Sequence, residues 1–385
     1  MKINQIEART KPLFVGQLFW PSWEKYEQEF KAIFARQYYT NHGPLVQQLE
    51  SKLCEYLGVR HVICVTNATI GLMMGAEALE LKGKVITPSF TFIATPQALT
   101  WCGIEPIFCD VDPISHQIDL DQIEALITPD VTGILAVNLW GNSCKPDEVV
   151  ALARRNGLRI FFDSSHAFGC RFKNHLIGNF GDLEVFSFHA TKVFSSCEGG
   201  CITTNDDGIA AKLRNIRSSY GAGVPVSIIK TSNGRMSEAH AAIGLLNLDA
   251  LPGYLERNKQ TFSLYKALLS DVSGLTVYMA NDVQVTNYQY VICEINDAEF
   301  GISRDELVKI LISKNIIARR YFAPGSHRCP PYVNSQSERL DALLVTDLLN
   351  SKLLQLPSGA EVSVEDVRYI CNLIQVIKQE ICMLA

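Results

Sequence analysis

Residues 158–200 read LRIFFDSSHAFGCRFKNHLIGNFGDLEVFSFHATKVFSSCEGG. Two apolar runs, LRIFF and LEVFSF, each close on a polar cluster. The first ends in Asp163-Ser164-Ser165-His166, the second in Ser187 to Lys192. Short continuous apolar runs are the mark of strands buried on both faces. In sheets of that kind, ligands bind beyond the C-terminal ends of the strands. These two polar clusters are therefore the first places to look for chemistry.

The same rhythm extends outward over about residues 50–205. ESKLCEYLG reads as a helix stopped by Gly58, HVICVT as a strand and TIGLMMGAEALEL as a helix. KVITPS, EPIFCDV, GILAVNL and CITTNDD read as further strands, with TPQALTWCG and DEVVALARRNG as helices. Strands alternating with helices predict a mostly parallel sheet covered on both faces, a three-layer α/β/α domain. From Met236 to Leu269 an apolar-periodic stretch, interrupted at Pro252-Gly253, predicts a helix linking two domains. The tail mixes a strand (YQYVICEI) with helices (RDELVKILISKN and VEDVRYICNLIQVIKQEI), which predicts a smaller α+β unit. The expected division is a large domain over 1–250, with an N-terminal arm, and a small domain over 251–385.

The 385 residues are 47% apolar and 19% charged, enough to bury a full core and too weakly charged for a disordered chain. The net charge of −5 offers no general attraction to nucleic acid or to an anionic membrane. An anionic ligand must be held locally, by helix N-termini, hydroxyls and a few arginines. The opening MKINQIEARTKPLF has no apolar signal core, and no run of about 18 apolar residues occurs. The twelve cysteines include no C-x-x-C pair, so no structural zinc site is expected. Most sit in apolar runs and read as free thiols of a reducing cytoplasm.

Three polar clusters mark strand ends. Thr66-Asn67-Ala68-Thr69 opens a helix, where free N–H groups and hydroxyls suit a phosphate; an ordinary N-cap is the plain alternative. Asp163 closes a buried strand and needs a partner, such as a protonated pyridine nitrogen; the plain alternative is a turn. Lys192 follows the other strand in an apolar setting, where a partly buried amine forms a Schiff base; the plain alternative is a surface loop. Taken together in this order, they supply what pyridoxal 5'-phosphate (PLP) requires: a phosphate anchor, an acid for the ring nitrogen and an amine for the aldehyde.

These segments, with several others, resemble the DegT/DnrJ/EryC1/StrS family of sugar aminotransferases, within fold-type I PLP enzymes. Tyr39-Thr40-Asn41-His42-Gly43-Pro44 is similar to the family's TNGP segment with His42 inserted. Asn67-Ala68-Thr69, Thr87 to Phe92, Asn138 to Gly141, Asp163 to Gly169, Phe186 to Gly200, Asn233 to Glu238 and Arg320-Tyr321-Phe322 with Pro324 and His327 follow in family order. The resemblance implies a large PLP domain with a small C-terminal domain. It also implies roles: Lys192 as the cofactor lysine and proton shuttle, Asp163 on the pyridine nitrogen, Phe92 stacked on the ring, and Ala68, Thr69 and Ser187 at the phosphate. His166 would stand where glutamine often contacts the ring hydroxyl. Asn233 would reach the phosphate of the other subunit, in a homodimer with shared sites.

By the same resemblance, L-glutamate would convert PLP to pyridoxamine 5'-phosphate, leaving 2-oxoglutarate. The amine would then pass to a nucleotide-linked keto-deoxysugar, dTDP-4-keto-6-deoxyglucose at C4, in a pathway such as that of lipopolysaccharide O-antigen. The opening KPLFVGQLFWPS is more like the C4 branch than the FLDL-type start of C3 enzymes, which remain the alternative. Substrate contacts are expected at Tyr39, His42, Arg320, Tyr321 and His327. Related sugar dehydratases replace the lysine with histidine, so Lys192 argues against them. A non-catalytic relative would be expected to lose Thr69, Asp163 or Lys192, and all three are present. Departures from the family are Ser164-Ser165, where small apolar residues are usual, and Ser195-Ser196-Cys197 before Glu198.

Overall fold

The computed structural model describes residues 6–219, 223–334 and 343–384. After a short arm strand, β1 (Leu13–Phe14), the strands of the main sheet are β2 (His61–Val65), β3 (Lys84–Pro88), β4 (Glu105–Cys109), β5 (Val131–Val137) and β6 (Arg159–Asp163). A small hairpin of β7 (Arg171–Phe172) and β8 (His175–Leu176) precedes the last two, β9 (Leu183–Ser187) and β10 (Gly200–Thr204). Their order is β2-β10-β9-β6-β5-β3-β4. The sheet is mixed: β10 runs antiparallel between β2 and β9, while β9, β6, β5, β3 and β4 pair in parallel. Since β2 runs with the parallel set, six strands share one C-terminal edge, and the site forms there.

Period-two alternation divides the sheet residues between two cores. Ile63, Val85, Leu135, Phe161, Val185 and Ile202 face one helical layer. On the other face, Ile86, Ile134, Ile160 and Phe162 join one cluster, and Val62, Cys64, Phe186 and Cys201 another. Both faces are apolar, with Glu184 of β9 a buried exception, so most polar residues gather at the strand ends.

The helices up to the long connector are α1 (Trp23–Arg36), α2 (Pro44–Leu57), α3 (Ala68–Ala78), α4 (Ala94–Trp101), α5 (Leu120–Leu126), α6 (Pro146–Arg155) and α7 (Asp207–Arg217). Gly58 ends α2 in the left-handed conformation at φ 70°, as its sequence position predicts. The next helix, α8 (Glu238–Leu269), is continuous over 32 residues and capped by Ser237. The interruption expected at Pro252-Gly253 does not occur. Both residues lie on the exposed side of the helix, which continues through them despite the backbone hydrogen bond that the proline removes.

The expected boundary at 250/251 falls inside α8. Leu251 still belongs to the large-domain core, while Phe262, Tyr265 and Leu269 enter the C-terminal one. That second unit holds an antiparallel sheet of β11 (Leu275–Val277), β12 (Val291–Ile295) and β14 (Leu353–Leu356), with helices Arg304–Ser313 and Val364–Leu384. The arm belongs to it too: β1 pairs in parallel with β13 (Ile316–Ile317), and Leu13 joins its core. Chain order assigns these first residues to the large domain, but packing places them with the small one. All twelve cysteines are free thiols. Among the described residues, no helix is long and apolar enough to cross a membrane.

Candidate active site

A cleft of about 440 Å³ opens at the C-terminal edge of the main sheet. Its lining brings together Ala68, Thr69, Phe92, Asp163, His166, Ser187, Lys192 and Tyr321, eight of the residues singled out in the sequence.

One end is a cradle for an anion. Asn67 is the N-cap of α3, and its side chain accepts from Ile70 N at 2.9 Å. The plain reading of this segment is thus true without excluding the other, because Ala68 and Thr69 line the cleft at the helix's first turn, where backbone N–H groups lack partners within the helix. Ser187 and Thr191 bring hydroxyls from the strand β9 side. The turn lies against β10 only because residue 200 is glycine: a Cβ there would stand 2.6 Å from Phe186 O and 3.0 Å from Ala68 N.

Asp163 is buried at the end of β6 and held by three donors. Thr95 Oγ1 donates to Oδ2 at 2.8 Å, and Ser165 donates to Oδ1 from Oγ at 2.6 Å and from N at 3.1 Å. The unusual pair Ser164-Ser165 thereby acquires two separate tasks. Ser165 orients Asp163, whereas Ser164 Oγ turns beneath the sheet to donate to the buried Glu184 at 2.5 Å. The serines before Glu198 bind their own loop: Ser195 Oγ accepts from Cys197 N at 3.0 Å, and Ser196 Oγ donates to Glu198 O at 2.9 Å.

Burial pushes the Lys192 amine down to about 8, against the opposing pull of the Asp163 carboxylate. A fraction of the amine is therefore neutral, and nucleophilic, near neutral pH. His166 is 5% exposed, and burial first, then the Lys192 charge, hold it well below its ordinary 6.5. It is a neutral imidazole, and its buried Nδ1 has no partner among the described residues.

An aromatic wall surrounds His166. Trp140 stacks on it at 5.7 Å, Tyr290 lies at 4.3 Å, and Tyr321 and Phe322 are each at 6.2 Å. Trp140 adopts φ 60°, a left-handed backbone that is costly for a large side chain. Its contacts with His166, Tyr290, Tyr321 and Phe322 support that conformation.

The remaining candidates lie outside this cleft. Tyr39 is 48% exposed, and His42 Nε2 sits 2.8 Å from Glu50 Oε2. Asn233 is exposed, with Oδ1 accepting from Ser219 Oγ at 3.1 Å. His327 is fully buried with Nε2 2.9 Å from Asp347 Oδ1, so it has no face toward a ligand. Arg320 pairs with Asp305 at 3.5 Å in a neighbouring groove. Its neighbour Arg319 borders that groove and also lines the cleft, which Arg320 does not. Arg319 bridges Gln355 in extended backbone, where adjacent side chains point to opposite sides. Sequence reasoning missed Arg319, Thr95 and Tyr290. The Arg-Arg doublet was a visible signal, but one-residue register decides which arginine faces in.

The donor set fits PLP. Ala68, Thr69, Ser187 and Thr191 would hold its phosphate, Asp163 its ring nitrogen and Lys192 its aldehyde, while the orphan His166 Nδ1 gains a partner.

Comparison with known proteins agrees with this geometry. A family model described as the DegT/DnrJ/EryC1/StrS aminotransferase family matches residues 23–375. A dTDP-4-amino-4,6-dideoxy-D-glucose transaminase of Shigella dysenteriae is 37% identical, over 96% of this chain and 100% of its own length. One of the same name from Escherichia coli is 32% identical, over 94% and 98%. The solved structure of DesI with its TDP-sugar product superposes with a TM-score of 0.92 at 37% identity, covering 97% of this chain and 94% of that one.

Proposed function

The chain belongs to the DegT/DnrJ/EryC1/StrS aminotransferase family and is a PLP-dependent sugar aminotransferase, and from that premise we propose that it moves the amino group of L-glutamate to C4 of dTDP-4-keto-6-deoxyglucose. The observation carrying the substrate is the near end-to-end similarity to two transaminases named for the 4-amino-4,6-dideoxyglucose product. The opening KPLFVGQLFWPS supports the same branch.

PLP, when bound, supplies an electron sink that acidifies the carbon carrying the amine. The chain's own residues do the rest. Asp163, fixed by Thr95 and Ser165, keeps a proton on the ring nitrogen. Lys192 Nζ takes the substrate proton as base and returns it as acid, a task suited to an amine near 8. Phe92, 57% exposed at the mouth, covers the ring face. Tyr321 and Arg319 receive the substrates from the C-terminal side, Arg319 meeting their carboxylate or diphosphate.

We assign Asn233 to the phosphate of a second subunit. A stripe of exposed aromatics on and after α1, including Trp23, Phe34 and Tyr39, supports a second copy seated there. Tyr39 and His42 then reach substrate from the shared boundary. Mixing inactive Lys192→Ala and Asn233→Asp chains should restore part of the activity, because one mixed site carries both native residues.

The deciding experiment supplies ¹⁵N-labelled L-glutamate with dTDP-4-keto-6-deoxyglucose and, separately, its 3-keto isomer. NMR then locates the nitrogen. Label at C4 is expected; label at C3, or turnover of the 3-keto isomer alone, would reject the acceptor while leaving the aminotransferase standing.

A further inference from the structure

The lysine loop is gripped from outside the large domain on both sides of Lys192. Gln17 of the arm donates from its backbone N to Thr191 O at 3.1 Å. Val193 N donates to Gln289 Oε1 at 3.0 Å. Next to Gln289, just before β12, stands Tyr290, and Lys192 Nζ donates to its Oη at 3.2 Å. Two adjacent residues of the small domain thus hold the loop's main chain and the lysine's amine.

We propose that the Tyr290 hydroxyl is the dock of the Lys192 amine whenever that amine is not bonded to the cofactor, and that Tyr290 is a positioning residue setting how firmly Lys192 keeps its proton. The inference rests on Lys192 being the cofactor lysine.

Three observations carry it. First, Tyr290 cannot wander: it is 7% exposed, and its ring is wedged against Trp140 at 5.3 Å, His166 at 4.3 Å and Tyr321 at 5.9 Å. Second, the contact is made by the hydroxyl and not by the ring face. Nζ is 5.9 Å from the ring centre but 3.2 Å from Oη, which places it off the hydroxyl end. Third, the hydroxyl is the acceptor in this contact, since an ammonium offers only N–H donors and Lys192 Nζ donates to Oη. Burial keeps Tyr290 protonated throughout the working range.

Other titratable or charged groups on the cleft walls act differently. Asp163 on β6 attracts the ammonium, and His166 is neutral. Arg319 and Tyr321 come from the small domain, and His189 and Glu198, 3.6 Å apart, sit in the lysine loop. Tyr290 is the group that the structure bonds to the amine directly. Accepting from the ammonium favours the protonated form, so removing the acceptor should ease loss of the proton. Between proton transfers, such a dock keeps a released side chain from adopting other rotamers.

The test is competitive acetylation of Lys192 against pH, read by mass spectrometry on the full-length protein. It is run on the cofactor-free form and on the form loaded with pyridoxamine phosphate, in which the lysine is free. Wild type should titrate near 8. Tyr290→Phe, which keeps the ring, should titrate about half a unit lower, raising labelling at pH 7 roughly two- to threefold. Replacing Tyr290 with 4-aminophenylalanine keeps the volume and exchanges the hydroxyl for a neutral, poorer acceptor, so a shift in the same direction is expected even if the phenylalanine variant folds poorly. An unchanged or raised midpoint in the folded variant would overturn the proposal. Borohydride fixation of the cofactor tests the identity of the lysine separately, so the two ideas fail independently.

Discussion

The anion cradle and the aromatic wall face each other across one cleft, yet they are assembled in opposite ways. The cradle is local. Asn67 to Thr69 follow β2, Ser187 ends β9 and Thr191 follows it closely, so each group is placed by the strand beside it. The wall is gathered from Trp140, His166, Tyr290, Tyr321 and Phe322, and its last three members come from the C-terminal unit. The difference teaches that strand ends supply chemistry, while the packing of one unit on another sets the surroundings that tune it.

That contrast breaks most sharply at Lys192, where both halves meet. Lys192→Ala should lower turnover by at least about 10⁴-fold, the upper range for a general acid–base group. Borohydride should fix PLP to the wild-type peptide containing Lys192 and to no peptide of the variant. Fixation elsewhere would remove the lysine from its role.

Asp163→Asn should cost about 10²-fold or more, because an amide cannot hold the ring proton. Thr95→Val removes only one supporting hydrogen bond, worth about 1 kcal/mol, and should cost no more than about tenfold. Equal losses would mean that orientation, not charge, is what Asp163 supplies.

The two arginines sharpen the wall. Arg319→Gln should raise KM for glutamate about tenfold, as expected on losing a charged hydrogen bond of roughly 1.5 kcal/mol. Arg320→Gln, already paired with Asp305, should change it less than about threefold. A reversed ranking would give the cleft-facing role to Arg320, as the family motif alone suggests.

His166→Ala should cost about tenfold in turnover, and His166→Gln should recover most of that, if one hydrogen bond and not the ring stacking carries the contribution. Failure of glutamine to rescue would shift the weight to the wall.

The smallest effect is away from the ligand. Burial raises the Glu184 carboxyl from 4.5 to about 7, despite donors at Ser164, Gly178 and Phe180. The folded chain therefore holds this proton more tightly than the unfolded one. Its stabilisation is complete below 4.5 and is lost as pH rises through 7. Glu184→Gln should flatten that decline in melting temperature between pH 4.5 and 7, with cofactor affinity little changed.

Much of this molecule was determined by the sequence alone. Strands buried on both faces are mostly apolar until they end, so the polar residues at 66–69, 163–166 and 187–192 stand out in the chain and fall on one edge. Helix ends with glycine or serine caps are legible for the same reason: their signals lie within a few residues. Only tertiary structure decided the rest. Pro252 does not break α8, whose exposed side it occupies, and the arm joins the small domain because Leu13 finds an apolar core there. Whether Arg319 or Arg320 enters the cleft depends on a one-residue register in a bridge to Gln355. Tyr290 meets Lys192 across 98 residues of chain. No local pattern encodes such a meeting, because the free energy that creates it is the burial of one unit's apolar surface against another.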